Sequence, residues 1–479
     1  MSETIIKELV SGPLTLSVSG AGGQRRLRVA APTAEGLQAF DGTAAEAASG
    51  AVLEGPLSAA NAAAVRASVP WLTPKPVGLH TSAGVGDRLA RATPGHVRAF
   101  QTYGAGIVPV FAQQSAREMD RLERTPQEVL DAATFGALQG GWDRQVGADA
   151  DHLKSTHDID RCLVAGFTSF TLDAGDTVNA VPAGYAGELA GIPWDALEDD
   201  EASLLRRYSG DVLDPVLRVS ESELRRAAYK YGDAIAYTVR MYRHLMANAT
   251  YEVEVEIAVD ETDDPTTIAE HVYLATELKR LGVTWNGFAP RYVGGFEKGV
   301  EYIGPTDVFA ASLREHFAVA SALGPYKISL HSGSDKFSIY GLAAEATGGM
   351  LHLKTSGTSY LEAVQLAAEF APSLFREIYD VSREAYAGSR ASYTVSANLD
   401  RTPLSRDVAD ADLVDLVTGS DSRQILHVGY GAVLMLQDEN GTRRLDDELH
   451  ALLDAEPERY AQALETYIGR HIAPMRPVV

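Results

Sequence analysis

The sequence predicts an α/β protein: a (β/α)8 barrel with a β-containing N-terminal elaboration and a helical C-terminal extension. Three observations predict it. From residue 76 on, eight short apolar runs each end in a polar segment and give way to helical periodicity, the pattern of strands alternating with helices. Polar and ionisable residues collect at the C-terminal ends of those runs, where a barrel of this kind carries its active groups. The 479 residues, 45% of them hydrophobic, are enough for one large core or two ordinary ones.

In chain order, "GPLTLSVSG" and "QRRLRVAAP" alternate apolar and polar residues around a glycine-rich turn and predict a β-hairpin. Residues 1–75 form the N-terminal elaboration, which closes in the linker-like "WLTPKPVG". The barrel is expected over residues 76–400. Its eight strands are expected in "VGLHTSAGVGD", "GIVPVFAQQS", "VGADADHLK", "FTSFTLDAGD", "YEVEVEIAVDET", "VTWNGFAPRY", "YKISLHSGSDK" and "MLHLKTSGTS". Stretches such as "SAREMDRLERTPQEVLDAATFGALQ" and "TTIAEHVYLATELKRLG" supply the helices, and roughly residues 176–248 enlarge the fourth connection. Residues 401–479 are expected to form helices packed on the barrel. The rival, an open doubly wound sheet, places a phosphate-binding glycine loop after its first strand, and "GVGDRL" lacks the G-x-G-x-x-G spacing.

Composition narrows the function. A formal charge of -23 argues against nucleic acid or an anionic membrane as partner, since both need clustered lysine and arginine. The single cysteine, Cys162, excludes an intrachain disulfide and a cysteine-based zinc cluster, so a metal here would use His, Asp or Glu. The N-terminus lacks a leader pattern and no run of about 18 apolar residues occurs, which predicts a soluble, cytoplasmic protein acting on a small molecule. A homo-oligomer is compatible with all of this.

Of twelve histidines most must be ordinary. His80, His96, His157, His244, His271, His316, His450 and His471 read as helix-borne or partly exposed, and His427 lies beyond the barrel. His152, His331 and His352 each fall at an expected strand end. With Glu261 of "VDET" they suit a divalent transition metal such as Zn, Mn, Ni or Co, because imidazole and carboxylate bind such ions while leaving a position open. Asp149 or Asp260 could fix an imidazole tautomer from behind. Any one of these residues alone is more often a helix cap or a solvated group.

Six segments carry a resemblance: "GVGDRLARATPGHVRAF", "PVFAQQSAREMDRLERTPQEVLDAATFGALQ", "GADADHLK", "VDETDDPT", "LGPYKISLHSGSDKFSIY" and "HLKTSGTSYLEA". Between about Gly84 and Ala363 the chain resembles the bacterial tagaturonate/fructuronate epimerase family. The resemblance implies a metal-dependent isomerase of hexuronate metabolism that interconverts D-tagaturonate and D-fructuronate. "ADADHLK" and "SLHSGSDK" are also similar, more distantly, to the metal-binding segments of class II (metal-dependent) aldolases. Two departures stand out: Ser332 replaces the first of the paired glycines, and no third histidine lies at a strand end between His152 and His331. Glu261 or His352 would have to supply the missing ligand.

The implied chemistry explains the aldolase likeness. The inverted carbon is β to the ketone, so its hydrogen is not acidic and enolisation cannot invert it. Retro-aldol cleavage and re-formation, or a redox cycle through a nicotinamide, remain, and no dinucleotide fingerprint is present. On the retro-aldol route Asp151 is the expected proton acceptor, with Glu261 the other candidate carboxylate, His152 a metal ligand and Lys154 a cation for an oxyanion or carboxylate. Arg88, Arg291, Lys336 and Lys354 are candidate grips on the substrate carboxylate, with Asp87 beside them. Gln113, Gln114, Ser115, Ser332 and Gly333 are candidate hydrogen-bonding partners for sugar hydroxyls. The alternatives are a metal-dependent sugar isomerase, an aldolase on related keto sugars, or a solute-binding protein on a decayed barrel.

Overall fold

The structure, a computed structural model, describes residues 7–20, 24–48, 50–209, 215–355 and 357–477. Five antiparallel strands come first: β1 (Leu9–Ser11), β2 (Leu14–Ser19), β3 (Arg26–Ala31), β4 (Thr43–Ala47) and β5 (Gly50–Gly55), in the order β1-β2-β3-β5-β4. The expected hairpin is β2 with β3, in register from Thr15 opposite Ala30 to Ser19 opposite Arg26; its turn at 21–23 lies outside the described residues. Alternation explains the sheet's one-sidedness: Leu27 and Val29 are buried while Arg26 and Arg28 face outward. The sheet is larger than the hairpin expected, because the alanine-rich segment after it supplies β4 and β5 despite weak strand propensity.

All eight expected strands form, and they close into one parallel barrel: β6 (Ser82–Gly84), β7 (Val108–Ser115), β8 (Gly147–Leu153), β9 (Ser169–Asp173), β10 (Glu254–Ala258), β11 (Gly287–Ala289), β12 (Lys327–Leu330) and β13 (Leu351–Lys354). The long fourth connection holds a 28-residue helix, Glu221–Asn248, started by a capping box between Ser220 and Glu223. After β13 the chain is helical, ending in Pro457–Ile472. That last helix packs against the first barrel helix, Thr93–Tyr103, at glycines: a Cβ on Gly95 would sit 2.7 Å from Leu464, and one on Gly469 would sit 2.5 Å from Tyr103. The N-terminal sheet shares one apolar core with the barrel, and a second core joins the C-terminal helices to Leu89, Ala92 and Leu122. Among the described residues no helix is long and apolar enough to cross a membrane.

The barrel interior is polar, which decides where chemistry can sit. Along β10, Glu254 and Glu256 point inward at alternate positions, as do Asp149 and Asp151 on β8. The bottom is closed by residues 77 and 78, whose backbone N–H groups donate to Glu254 at 2.9 and 2.8 Å. The open end is the C-terminal one.

Candidate active site

Neighbours in a strand point to opposite faces, yet Asp151 and His152 both reach the barrel mouth. A β-bulge makes this happen. The register between β8 and β9 shifts between Ala150 and Leu153, and His152 adopts a left-handed backbone (φ 51°). The extra residue turns His152 back beside Asp151, the way bulges re-aim side chains at functional sites. Ser332 (φ 48°) and Asp335 (φ 60°) give the loop after β12 the same uncommon conformation, next to His331.

The bulge brings charged groups together. One ligand atom each from Asp151, His152 and His331 lie within 4.8 Å of one another, and a second such group is His152, Asp173 and Glu261. The two imidazole rings stand edge to face, 4.9 Å apart. His152 Nδ1 is held by Asp173 at 2.9 Å, leaving Nε2 toward Asp151 at 3.8 Å. His331 Nε2 meets Glu256 at 2.6 Å, and its Nδ1 lies 3.0 Å from Asp260 without hydrogen-bond alignment. Beneath them Lys354 Nζ lies 2.8 Å from each of Asp149, Asp151 and Glu256, and Gln113 donates to Asp151 at 2.9 Å.

One ammonium among three carboxylates leaves negative charge in excess, and the neighbouring groups titrate accordingly. Burial pulls the His152 imidazole down, but Asp151, Asp173 and Glu261 overcome it and push it up to about 10. Burial likewise opposes His331, which Asp260 and Glu256 raise to about 9. Burial and the charges of Asp151 and Glu256 raise Asp149 to about 6 against the pull of Lys354. Burial is outweighed for Asp151, which Lys354 and the two histidines hold well below the usual carboxylate range.

The remaining expected residues divide between the mouth and the framework. A cleft of about 600 Å3 opens over the site, lined by Arg117, Lys154, Glu261, Arg291, Lys298, His331, Ser332 and Tyr393 among others. Lys154 is there, tied to Asp176 at 2.8 Å, and Arg291 donates to the carbonyls of Thr262, Tyr292 and Gly294. Arg88 is not: its guanidinium is buried against Glu118 and over the Tyr430 ring, 3.7 Å from the centroid. Lys336 gives its ammonium to the carbonyls of Glu297, Val300 and Ser334. Asp87 holds the turn before the helix Thr93–Tyr103, accepting from the backbone of Leu89, Arg91 and Ala92. Ser115 caps the helix Ala116–Arg121, and Gln114 accepts from Arg124 at 3.4 Å.

Gly333 spends its N–H on the Lys354 carbonyl at 3.0 Å, so it has no backbone donor to offer a substrate. His352 is two residues below Lys354 on β13, inside the barrel, where Nδ1 meets Ser82 Oγ at 2.8 Å; it is not gathered with His152 and His331. Sequence reasoning passed over Asp173 as a partner of His152, Glu256 as a partner of His331, and Arg117 and Lys298 in the cleft wall. Glu256 had a signal, an acidic residue at an alternate position within a buried apolar strand. Lys298 had none, because it lies in an irregular loop.

The model of the UxaE tagaturonate epimerase family matches residues 22–475 of this chain. The chain belongs to the tagaturonate epimerase family. That membership makes it an isomerase-class enzyme. A tagaturonate/fructuronate epimerase of Thermotoga maritima is 40% identical over 415 residues, 86% of this chain and 84% of that protein. Two crystal structures of the fructuronate-tagaturonate epimerase of Cohnella laeviribosi share the fold. The native one superposes with a TM-score of 0.88 at 31% identity, covering 99% of this chain and 97% of that one. A glycerol complex gives 0.87 at 32%, covering 98% and 95%.

Proposed function

We propose that this protein interconverts D-tagaturonate and D-fructuronate with the help of a divalent transition metal ion, by breaking and re-forming one carbon–carbon bond. The observation that carries the reading is the gathering of Asp151, His152 and His331 within 4.8 Å, above Lys354, in a chain of this family. The mouth fits a cation: the two imidazoles, with Glu261 at the rim as the carboxylate nearest His152 that is left for a ligand, suit Zn, Mn, Ni or Co. The surplus of carboxylates that raises both histidines supplies the negative charge such an ion neutralises. His152 and His331 would hold the ion, with Asp173 and Glu256 fixing their rings from behind. A bound ion would polarise the substrate ketone and acidify its hydroxyl.

The chain's own groups then follow from their positions. Asp151, kept ionised by Lys354, accepts the proton of the hydroxyl on the carbon β to the ketone. That carbon becomes an aldehyde as the bond to its neighbour breaks, and the bonding electrons pass to the ketone fragment as an enediolate. The aldehyde turns by half a rotation, the bond re-forms on its other face, and Asp151 returns the proton. Glu261, at the rim with Arg117 at 3.0 Å and Lys154 at 3.8 Å, closes the site over the fragments.

Two measurements test this. Chelation should abolish epimerisation and a divalent ion should restore it; full activity after demetallation refutes the metal. Deuterium on the inverted carbon should stay in the product with no primary isotope effect. A primary effect, or loss of label to solvent, refutes carbon–carbon cleavage and leaves transient oxidation or hydrogen transfer.

A further inference from the structure

The cations that sequence reasoning offered for a substrate carboxylate are engaged elsewhere. Arg88 is closed in by Glu118 and Tyr430, Lys336 by three carbonyls, and Lys354 by three carboxylates. Lys154 is paired with Asp176 and Arg291 with carbonyl oxygens. Lys298 differs. It lines both the wide cleft and the narrow pocket at its base, where Asp151, His152, His331 and Lys354 meet. Among the described residues its ammonium donates no hydrogen bond and makes no ion pair, whereas its backbone is fastened on every side.

That fastening is detailed. The Lys298 N–H donates to Thr394 O at 3.2 Å and its carbonyl accepts from Gln424 at 3.3 Å. The carbonyls on either side, Glu297 and Val300, are both held by the buried ammonium of Lys336. The Glu297 carboxylate is held in turn by Ser396 and Gln424. Beside Lys298 in the cleft, Arg117 gives NH2 to Glu261 and NH1 to the Ser392 carbonyl, leaving a buried Nε without a partner. A fixed backbone carrying a cation with no internal acceptor is what preorganised anion recognition requires.

We infer that Lys298, seconded by Arg117 Nε, binds the carboxylate of a sugar-acid substrate and so sets the preference for keto-hexuronates over neutral ketohexoses. The inference rests on the epimerase reading and deepens it. The carboxylate belongs to the aldehyde fragment that must turn without escaping, so a grip there anchors the mobile half. Burial and the neighbouring Arg117 charge lower the Lys298 ammonium, as expected for a cation waiting for an anion.

Equilibrium binding of a keto-hexuronate and of the matching neutral ketohexose to the metal-loaded enzyme tests it, with Lys298→Met and Lys298→Arg beside the wild type. Losing a charge-assisted contact should weaken keto-hexuronate binding by about 30- to 100-fold in Lys298→Met. Binding of the neutral sugar should change by less than about threefold, and Lys298→Arg should recover most of the loss. Equal losses for both sugars, or no loss for either, overturns the assignment. Because binding needs no turnover, a wild type that binds the keto-hexuronate through Lys298 but does not epimerise it would refute the epimerase reading alone.

Discussion

Lys354 shows what single residues do here. Its ammonium is the only lysine or arginine group within ion-pair distance of Asp149, Asp151 and Glu256 among the described residues, and it sits under the proposed proton acceptor. Asp151→Asn keeps the shape and removes the acceptor. Turnover should fall by about 10²-fold or more while KM and metal content stay close to wild type. Lost metal would mean that Asp151 is a ligand, and the proton role would pass to Glu261. A second residue, Glu362, on the helix Ser359–Phe370, is a test of stability. Burial drives its carboxyl up to about 7, against the opposing pull of Arg423. The folded form therefore binds more protons than the unfolded one between the ordinary glutamate value and about pH 7, so this group's contribution falls as pH rises through that window and is flat above it. Glu362→Gln should raise the unfolding free energy at pH 8 by up to about 3 kcal/mol and change it little at pH 4. Urea titrations at both pH values decide it, and an equal shift at both would rule out the titration.

At the scale of elements, the bulge in β8 and the turn after β12 place the two histidines. Gly333 lies where the turn passes β13: a Cβ there would sit 2.5 Å from Leu353 Cδ1 and 2.8 Å from the Leu330 carbonyl. The Leu353 side chain can move; the carbonyl can do so only with the strand end that carries His331. Gly333→Ala should cost about 1–3 kcal/mol in stability and displace His331 enough to lower kcat/KM by about tenfold or more. Unfolding and kinetics measured together check it, and unchanged kinetics would show that the turn does not position His331. Lys336 is an element-scale residue too. Read as a substrate grip, it holds the Glu297–Val300 loop instead, and through it Lys298.

The whole molecule supplies walls that the barrel lacks. Ser392 and Tyr393, beyond β13, line the cleft, and Tyr430 on the helix Ser420–Leu434 covers Arg88. At the other end the N-terminal sheet is joined to the barrel by apolar contact, and the helix and turn that follow it by polar ties: Arg66 to Asp131 at 2.8 Å, and Trp71 Nε1 to the Trp142 carbonyl at 2.9 Å. Deleting residues 1–57 should expose the barrel helix Pro126–Gly140 and leave a chain that aggregates or melts well below the intact protein. The intact protein should unfold in one calorimetric transition; two separated transitions, or a truncated chain of full stability, would show that the sheet is an independent unit.

The eight strands, their order and the convergence of polar residues were legible in the sequence, because a buried parallel strand needs an apolar run and a barrel puts its reactive groups at strand ends. Asp151, His152 and His331 could be picked out for the same reason, as residue types that carry chemistry at such ends. Tertiary structure alone decided which cations are free. An arginine or lysine looks the same in sequence whether it meets a glutamate from another helix, as Arg88 does, or three carbonyls across a loop, as Lys336 does. Glu118 lies 30 residues from Arg88, and Val300 and Glu297 lie 36 and 39 residues from Lys336, with only Ser334 close by. His352 was misplaced at the mouth by the same blindness, since one or two residues of strand register separate the mouth from the barrel's interior. Lys298 carried no pattern at all, because what singles it out is the absence of an acceptor for its ammonium among the described residues, a property of packing and not of order along the chain.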